Sequence, residues 1–60
     1  MLLDRVEKHL RAVRIPPTRF GRESVGDPRF VFDLRVGREP RQATVDKVLR
    51  YLDRAERRAL

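Results

Sequence analysis

The stretch TRFGRESVGDPRFVFDLRVGR, residues 18–38, decides the fold. At its centre, Gly26 is free to take left-handed backbone, Asp27 can cap exposed amides, and Pro28 suits a first helical position. That order predicts one helix closing near Gly26 and another opening at Asp27-Pro28. In the second, spanning about residues 28–36, Phe30, Val31 and Leu34 share one face by i, i+1, i+4 spacing, whereas Arg29, Phe32, Asp33 and Val36 point elsewhere. Gly37 supplies the left-handed residue that closes it. The first helix of the pair, about residues 17–24, opens on Pro17 and carries little apolar content beyond Phe20 and the Val25 at its end, so it is stable only when packed. Gly21 in its interior costs about 1 kcal/mol relative to alanine, a cost that a close helix–helix approach would explain.

Outward from this pair, Leu3, Val6, Leu10 and Val13 recur at spacings of three and four, which predicts an amphipathic helix over about residues 2–14. Pro16-Pro17 stops it, because proline has no amide hydrogen and drives the preceding Ile15 toward extended backbone. On the other side, a short basic link from Arg38 to Arg41 contains Pro40. Then Val45, Val48, Leu49, Leu52, Ala55 and Ala59 mark a last helix over about residues 42–58. Its stripe fits packing on the first helix, the favoured arrangement, with the end free to dimerise; a heptad seam between two copies would read the same way. The run Phe30-Val31-Phe32 is too tightly bracketed by Asp27-Pro28 and Gly37 to compete as a strand. The expectation is an all-α fold of four short helices, a single domain over residues 1–60.

Sixty residues carry 15 Lys+Arg against 9 Asp+Glu, a formal charge of +6, and every basic residue except Lys8 and Lys47 is an arginine. The planar five-donor guanidinium grips phosphates in a two-pronged manner, which makes nucleic acid the leading partner class. Residues 1–15, 16–41 and 42–60 are similarly basic, so any basic face must be made by folding. With no cysteine and a single His9, neither a disulfide nor a metal site is expected, and no cofactor. His9 reads as a surface residue, and Tyr51 as a packing residue with its hydroxyl in water. Apolar runs of two or three residues fall far short of a membrane span, and the start lacks a signal-peptide pattern, so a cytoplasmic protein is expected. Catalysis is not expected: no serine or cysteine is paired with an activating histidine, no glycine-rich phosphate loop is present, and Asp46 and Asp53 read as solubility.

Two short helices joined by a tight, glycine-containing turn form the helix-turn-helix unit that presents a helix to the major groove. Residues 17–52 resemble the lambda-repressor/Cro-like helix-turn-helix family. Pro17 falls at the first motif position, Gly21 where the family keeps a small residue, and Phe20, Val31 and Leu34 on its core positions. Gly37-Arg38 followed by Pro40 and Thr44 is similar to the family's loop and next helix; Val25-Gly26 reverses the order of glycine and apolar residue usual in its turn. The resemblance implies a small bacterial or phage transcriptional regulator, nucleoid-associated, acting as a homodimer on double-stranded DNA.

It also implies that Arg29, Phe32, Asp33 and Val36 face the bases. Arg29 would donate twice to guanine and Phe32 press on a thymine methyl, unless Phe32 completes a small core or a dimer contact. Asp33 would either accept from cytosine or, the preferred reading, hold Arg29 by an i, i+4 pair. Thr18, Arg19, Arg22, Arg38 and Arg41 would contact the DNA backbone, positioning the protein without specifying sequence. Arg35 would pair with Glu39 across the helix end. Apolar Phe32 and Val36 keep a protein–protein adaptor in play, docking on a partner in the transcription machinery, and the even spread of charge leaves room for sequence-indifferent DNA coating.

Overall fold

From the end of the first helix to the start of the last, each helix boundary lies within two residues of a proline, a glycine or a left-handed residue. A computed structural model describes residues 1–58 and contains, in chain order, α1 (Leu2–Val13), α2 (Pro17–Val25), α3 (Phe30–Arg35) and α4 (Gln42–Arg58). No strand occurs among the described residues, and none of their helices is long and apolar enough to cross a membrane. The fold is all-α.

Helix α1 ends in an αL cap in which Arg14, at φ 56°, donates its amide to the Leu10 carbonyl at 2.8 Å. Pro16 and Pro17 then force an extended corner, and Pro17 opens α2 at the position where its missing donor costs nothing. Gly26 closes α2 with φ 75°, donating to the Arg22 carbonyl at 3.1 Å. The closure of α3 is a Schellman motif: Gly37, at φ 92°, donates to Leu34 at 3.1 Å, and Arg38 donates to Asp33 at 3.0 Å.

The start of α3 differs from the sequence expectation. Its regular turns begin at Phe30 and end at Arg35, so residues 28 and 29 at one end and 36 at the other lie in turns. The Asp27 carboxylate accepts from the Arg29 amide at 2.9 Å and its carbonyl from the Phe30 amide at 3.1 Å, so Asp27 caps the tight turn before α3 rather than α3 itself.

The core joins Val6 and Leu10 of α1, Phe20 of α2, Phe30 and Val31 of α3, and Val48 and Leu52 of α4. Leu2, Ile15, Val25, Leu34 and Tyr51 pack around it. Helix α4 touches both α1 and α2 and lies more extensively against α2, rather than primarily on the first helix. Leu49 is exposed on its flank, and Ala59 lies outside the described residues.

His9 corrects the surface reading. It is buried, with its ring edge-on to Phe20 (centroids 5.6 Å apart) and to Tyr51 (6.1 Å), while Phe20 and Tyr51 meet edge-on at 5.2 Å. It takes an inward position one residue before Leu10, whereas Val13, at the end of the stripe, is exposed. The three rings tie α1, α2 and α4 together, and edge-to-face aromatic pairs contribute about 0.5–1.5 kcal/mol each beyond their buried area.

Gly21 sets how closely α2 and α3 approach. A methyl group there would collide with the Asp27 carbonyl oxygen and press on Phe30 Cβ at 3.3 Å, and the Gly21 carbonyl accepts the Asp27 amide at 3.2 Å. Gly21→Ala, favourable in an isolated helix by about 1 kcal/mol, is therefore expected to destabilise the fold by about 2 kcal/mol. A urea midpoint left unchanged would mean that the Asp27 turn can withdraw. Arg14→Gly is expected to stabilise the fold by about 0.5 kcal/mol and so raise the urea midpoint, the relief of left-handed strain less the entropy that glycine adds to the unfolded chain; a lowered midpoint would refute that assignment.

Candidate nucleic-acid interface

Because Phe30, Val31 and Leu34 turn inward, helical geometry turns Phe32 and Val36 outward, with Arg29 on the same side in the preceding turn. Phe32 is 43% exposed and Val36 78% exposed, which for large apolar side chains on one short helix is a concentrated patch. The Arg29 side chain is exposed and engages no carboxylate among the described residues.

The other polar groups of α3 are engaged. Arg35 donates through Nε and Nη2 to the two carboxylate oxygens of Glu7 on α1, at 2.9 and 2.8 Å, and its guanidinium carbon stands 5.7 Å from the centre of the Phe32 ring. This replaces the expected Arg35–Glu39 pair. Arg35 lies on the side of α3 that faces α1, where Glu7 offers both oxygens, while the reversal at Gly37 carries Glu39 away. Asp33 is half-buried and faces Arg38 Nη1 at 3.8 Å instead of the expected Arg29. Arg29 is the N-cap of the helix, its carbonyl accepting the Asp33 amide at 2.9 Å, but its side chain makes no ion pair with Asp33, whereas the Schellman reversal folds Arg38 back toward that carboxylate.

Asp33, Arg38 and Arg41 thus come together around a cleft between α3 and the start of α4, which Asp27, Glu39, Pro40 and Thr44 also line, so carboxylates share it with the two arginines. Thr18, Arg19 and Arg22 are exposed on α2. Arg19 is drawn along the helix to Glu23 at 3.0 Å, and neither Arg22 nor Arg41 has a carboxylate partner among the described residues. Thr18 and Arg22, four residues apart, share a helical face distinct from the one holding Arg19 and Glu23.

Sequence reasoning missed a stripe on α4: Lys47, Arg50, Arg54 and Arg58 are all exposed, without carboxylate partners among the described residues. Their spacing of three and four is legible in the sequence, but a charged stripe opposite an apolar one is also what any solvated helix face shows. It also missed the Tyr51 hydroxyl, which donates to Glu23 at 3.0 Å rather than to water. The Glu7–Arg35 pair, 28 residues apart, left no local signal.

No family model matches the chain, and no curated protein or solved structure is significantly similar to it.

The pairs have a pH signature. The hydrogen bond from Arg35 holds the Glu7 carboxyl below its ordinary value near 4.5. Those from Arg19, and then Tyr51, do the same for Glu23. The folded chain therefore keeps these carboxylates ionised where the unfolded chain takes up protons. Their contribution is complete above the unfolded value and fades as pH falls through the folded one. Thermal midpoints are expected to drop between about pH 6 and about pH 3, less steeply in Glu7→Gln and Glu23→Gln. An identical slope in both variants would mean that these pairs do not form in solution.

Proposed function

We propose that this chain binds double-stranded DNA sequence-specifically through the α2–turn–α3 unit and acts as a small bacterial or phage transcriptional regulator in the bacterial cytoplasm. The observation that carries the reading is the free Arg29 guanidinium on the exposed side of α3, on a helix held against α2 by Gly21 and closed by the Gly37 cap. Arg22 on α2 and Arg41 near the start of α4 are exposed and form no salt bridge among the described residues, which suits them to phosphates in a chain of formal charge +6. The resemblance of residues 17–52 to the lambda-repressor/Cro-like family supports the same reading. A homodimer on a palindromic operator would place half-sites about one helical turn, roughly 34 Å, apart.

Exposed Phe32 and Val36 favour a second reading, an adaptor that docks a protein of the transcription machinery. Selection from a random duplex pool separates the two. Enrichment of a palindrome bound about a thousandfold tighter than scrambled DNA supports the regulator. Uniform binding lost with salt indicates a coating protein, and a stoichiometric protein partner retained after nuclease and high salt indicates the adaptor. Arg29→Ala is expected to relax preference at one base position, at a cost of about 1–3 kcal/mol. Arg22→Ala or Arg38→Ala should instead weaken binding to all sequences and reduce the salt slope by about 1. An unaltered base profile in Arg29→Ala would remove α3 from the role of reader.

A further inference from the structure

The exposed side of α3 is chemically unusual for a surface that reads bases, because only one of its hydrogen-bonding side chains is free of a carboxylate partner among the described residues. Arg35 is committed to Glu7 and lies over the Phe32 ring. Asp33 is half-buried against Arg38 on the flank. What remains is Arg29 at one end, followed by Phe32 and Val36, apolar and 43% and 78% exposed.

Neither side chain can donate or accept a hydrogen bond. In the major groove, the apolar feature that distinguishes one base pair from another is the C5-methyl group of a pyrimidine. Arg29 and Val36 are seven residues apart, so at 1.5 Å per residue the row spans about 10 Å, or about three base-pair steps. The free guanidinium of Arg29 at the end of the row, in a chain of formal charge +6, favours a polyanion over an apolar protein face as the occupant.

We infer that α3 reads its target chiefly through C5-methyl groups: Arg29 fixes one guanine, and Phe32 and Val36 pack on methyl-bearing pyrimidines in the next two or three steps. The inference rests on the proposed placement of α3 in the major groove and specifies what it recognises there. Thymine and 5-methylcytosine carry the same group, so either can satisfy the contact. The packing of Arg35 over one side of Phe32 limits the ring's freedom before DNA arrives, so little of the contact is lost to ordering a mobile side chain.

The probe is the tightest duplex recovered by selection, remade with deoxyuridine replacing each thymidine in turn and bound by the unaltered protein. Loss of one buried methyl is expected to weaken binding about fourfold at one or two positions per half-site. At those positions cytosine should bind more weakly than 5-methylcytosine, an arm that separates the methyl from the rest of the thymine base. Phe32→Ala should abolish the uracil penalty at one position and Val36→Ala at another, with circular dichroism confirming that each variant is folded. If every uracil-substituted duplex binds like its parent while scrambled DNA remains weak, the methyl inference fails and the DNA-reading proposal stands. If selection enriches no sequence, the reading itself fails and the inference with it.

Discussion

The backbone contact between α2 and the turn before α3 constrains the rest of the molecule. At Gly21 the α2 surface has no side chain, and into that gap come the Asp27 carbonyl and Phe30 Cβ. The close approach lets the Gly21 carbonyl accept the Asp27 amide and so fixes the rotation of α3 about its axis. Once that rotation is fixed, Phe30 and Val31 enter the core that Phe20 shares, and Arg29, Phe32 and Val36 are left exposed. The composition of the exposed face is thus a consequence of a residue four positions into the neighbouring helix. A bulkier residue would change which side chains are offered to a partner before it changed any of those side chains.

Exposed ion pairs contribute little to stability, about 0–1 kcal/mol apiece. Their larger effect here is to sort the cations. Glu56 engages Arg5, Glu23 engages Arg19, Glu7 engages Arg35, and Asp53 engages Arg57. Those carboxylates stitch helices together or run along one helix, leaving Arg22, Arg29 and Arg41, and the α4 stripe of Lys47, Arg50, Arg54 and Arg58, among the cations without carboxylate partners in the described residues. The acidic residues therefore shape the basic surface as much as the arginines do.

Prolines and glycines made most of the fold legible. Pro16-Pro17, Gly26 and Gly37 act through local backbone geometry alone, and each boundary they imply lies within a residue or two of the observed one. The inward set of α3 was legible for the same reason, since helical spacing is local. The start of α3 was less so, because Asp27 can satisfy either a helix or the tight turn before it, and the close α2 contact selects the turn. Arg14 was invisible as a left-handed residue: nothing in its chemistry favours that backbone, which the Pro16-Pro17 corner imposes. His9 and the partner of Arg35 depended on which helices meet, and that information is carried by no single segment. Phe32, Val36 and Arg29 were identifiable as candidates from spacing, but that Arg29 alone keeps an uncommitted polar side chain emerges only when Glu7 and Arg38 are in place.

The aromatic cluster of His9, Phe20 and Tyr51 also determines what spectroscopy can see. The chain has no tryptophan and one tyrosine, so its near-ultraviolet emission originates from Tyr51, at the meeting of α1, α2 and α4. The one imidazole lies in the same place. Intrinsic fluorescence and imidazole proton resonances therefore report on whether the helices are assembled, and report only indirectly on events at α3. An observer following those signals would see the molecule melt clearly and could watch its outer helix engage a partner with almost no change in the trace.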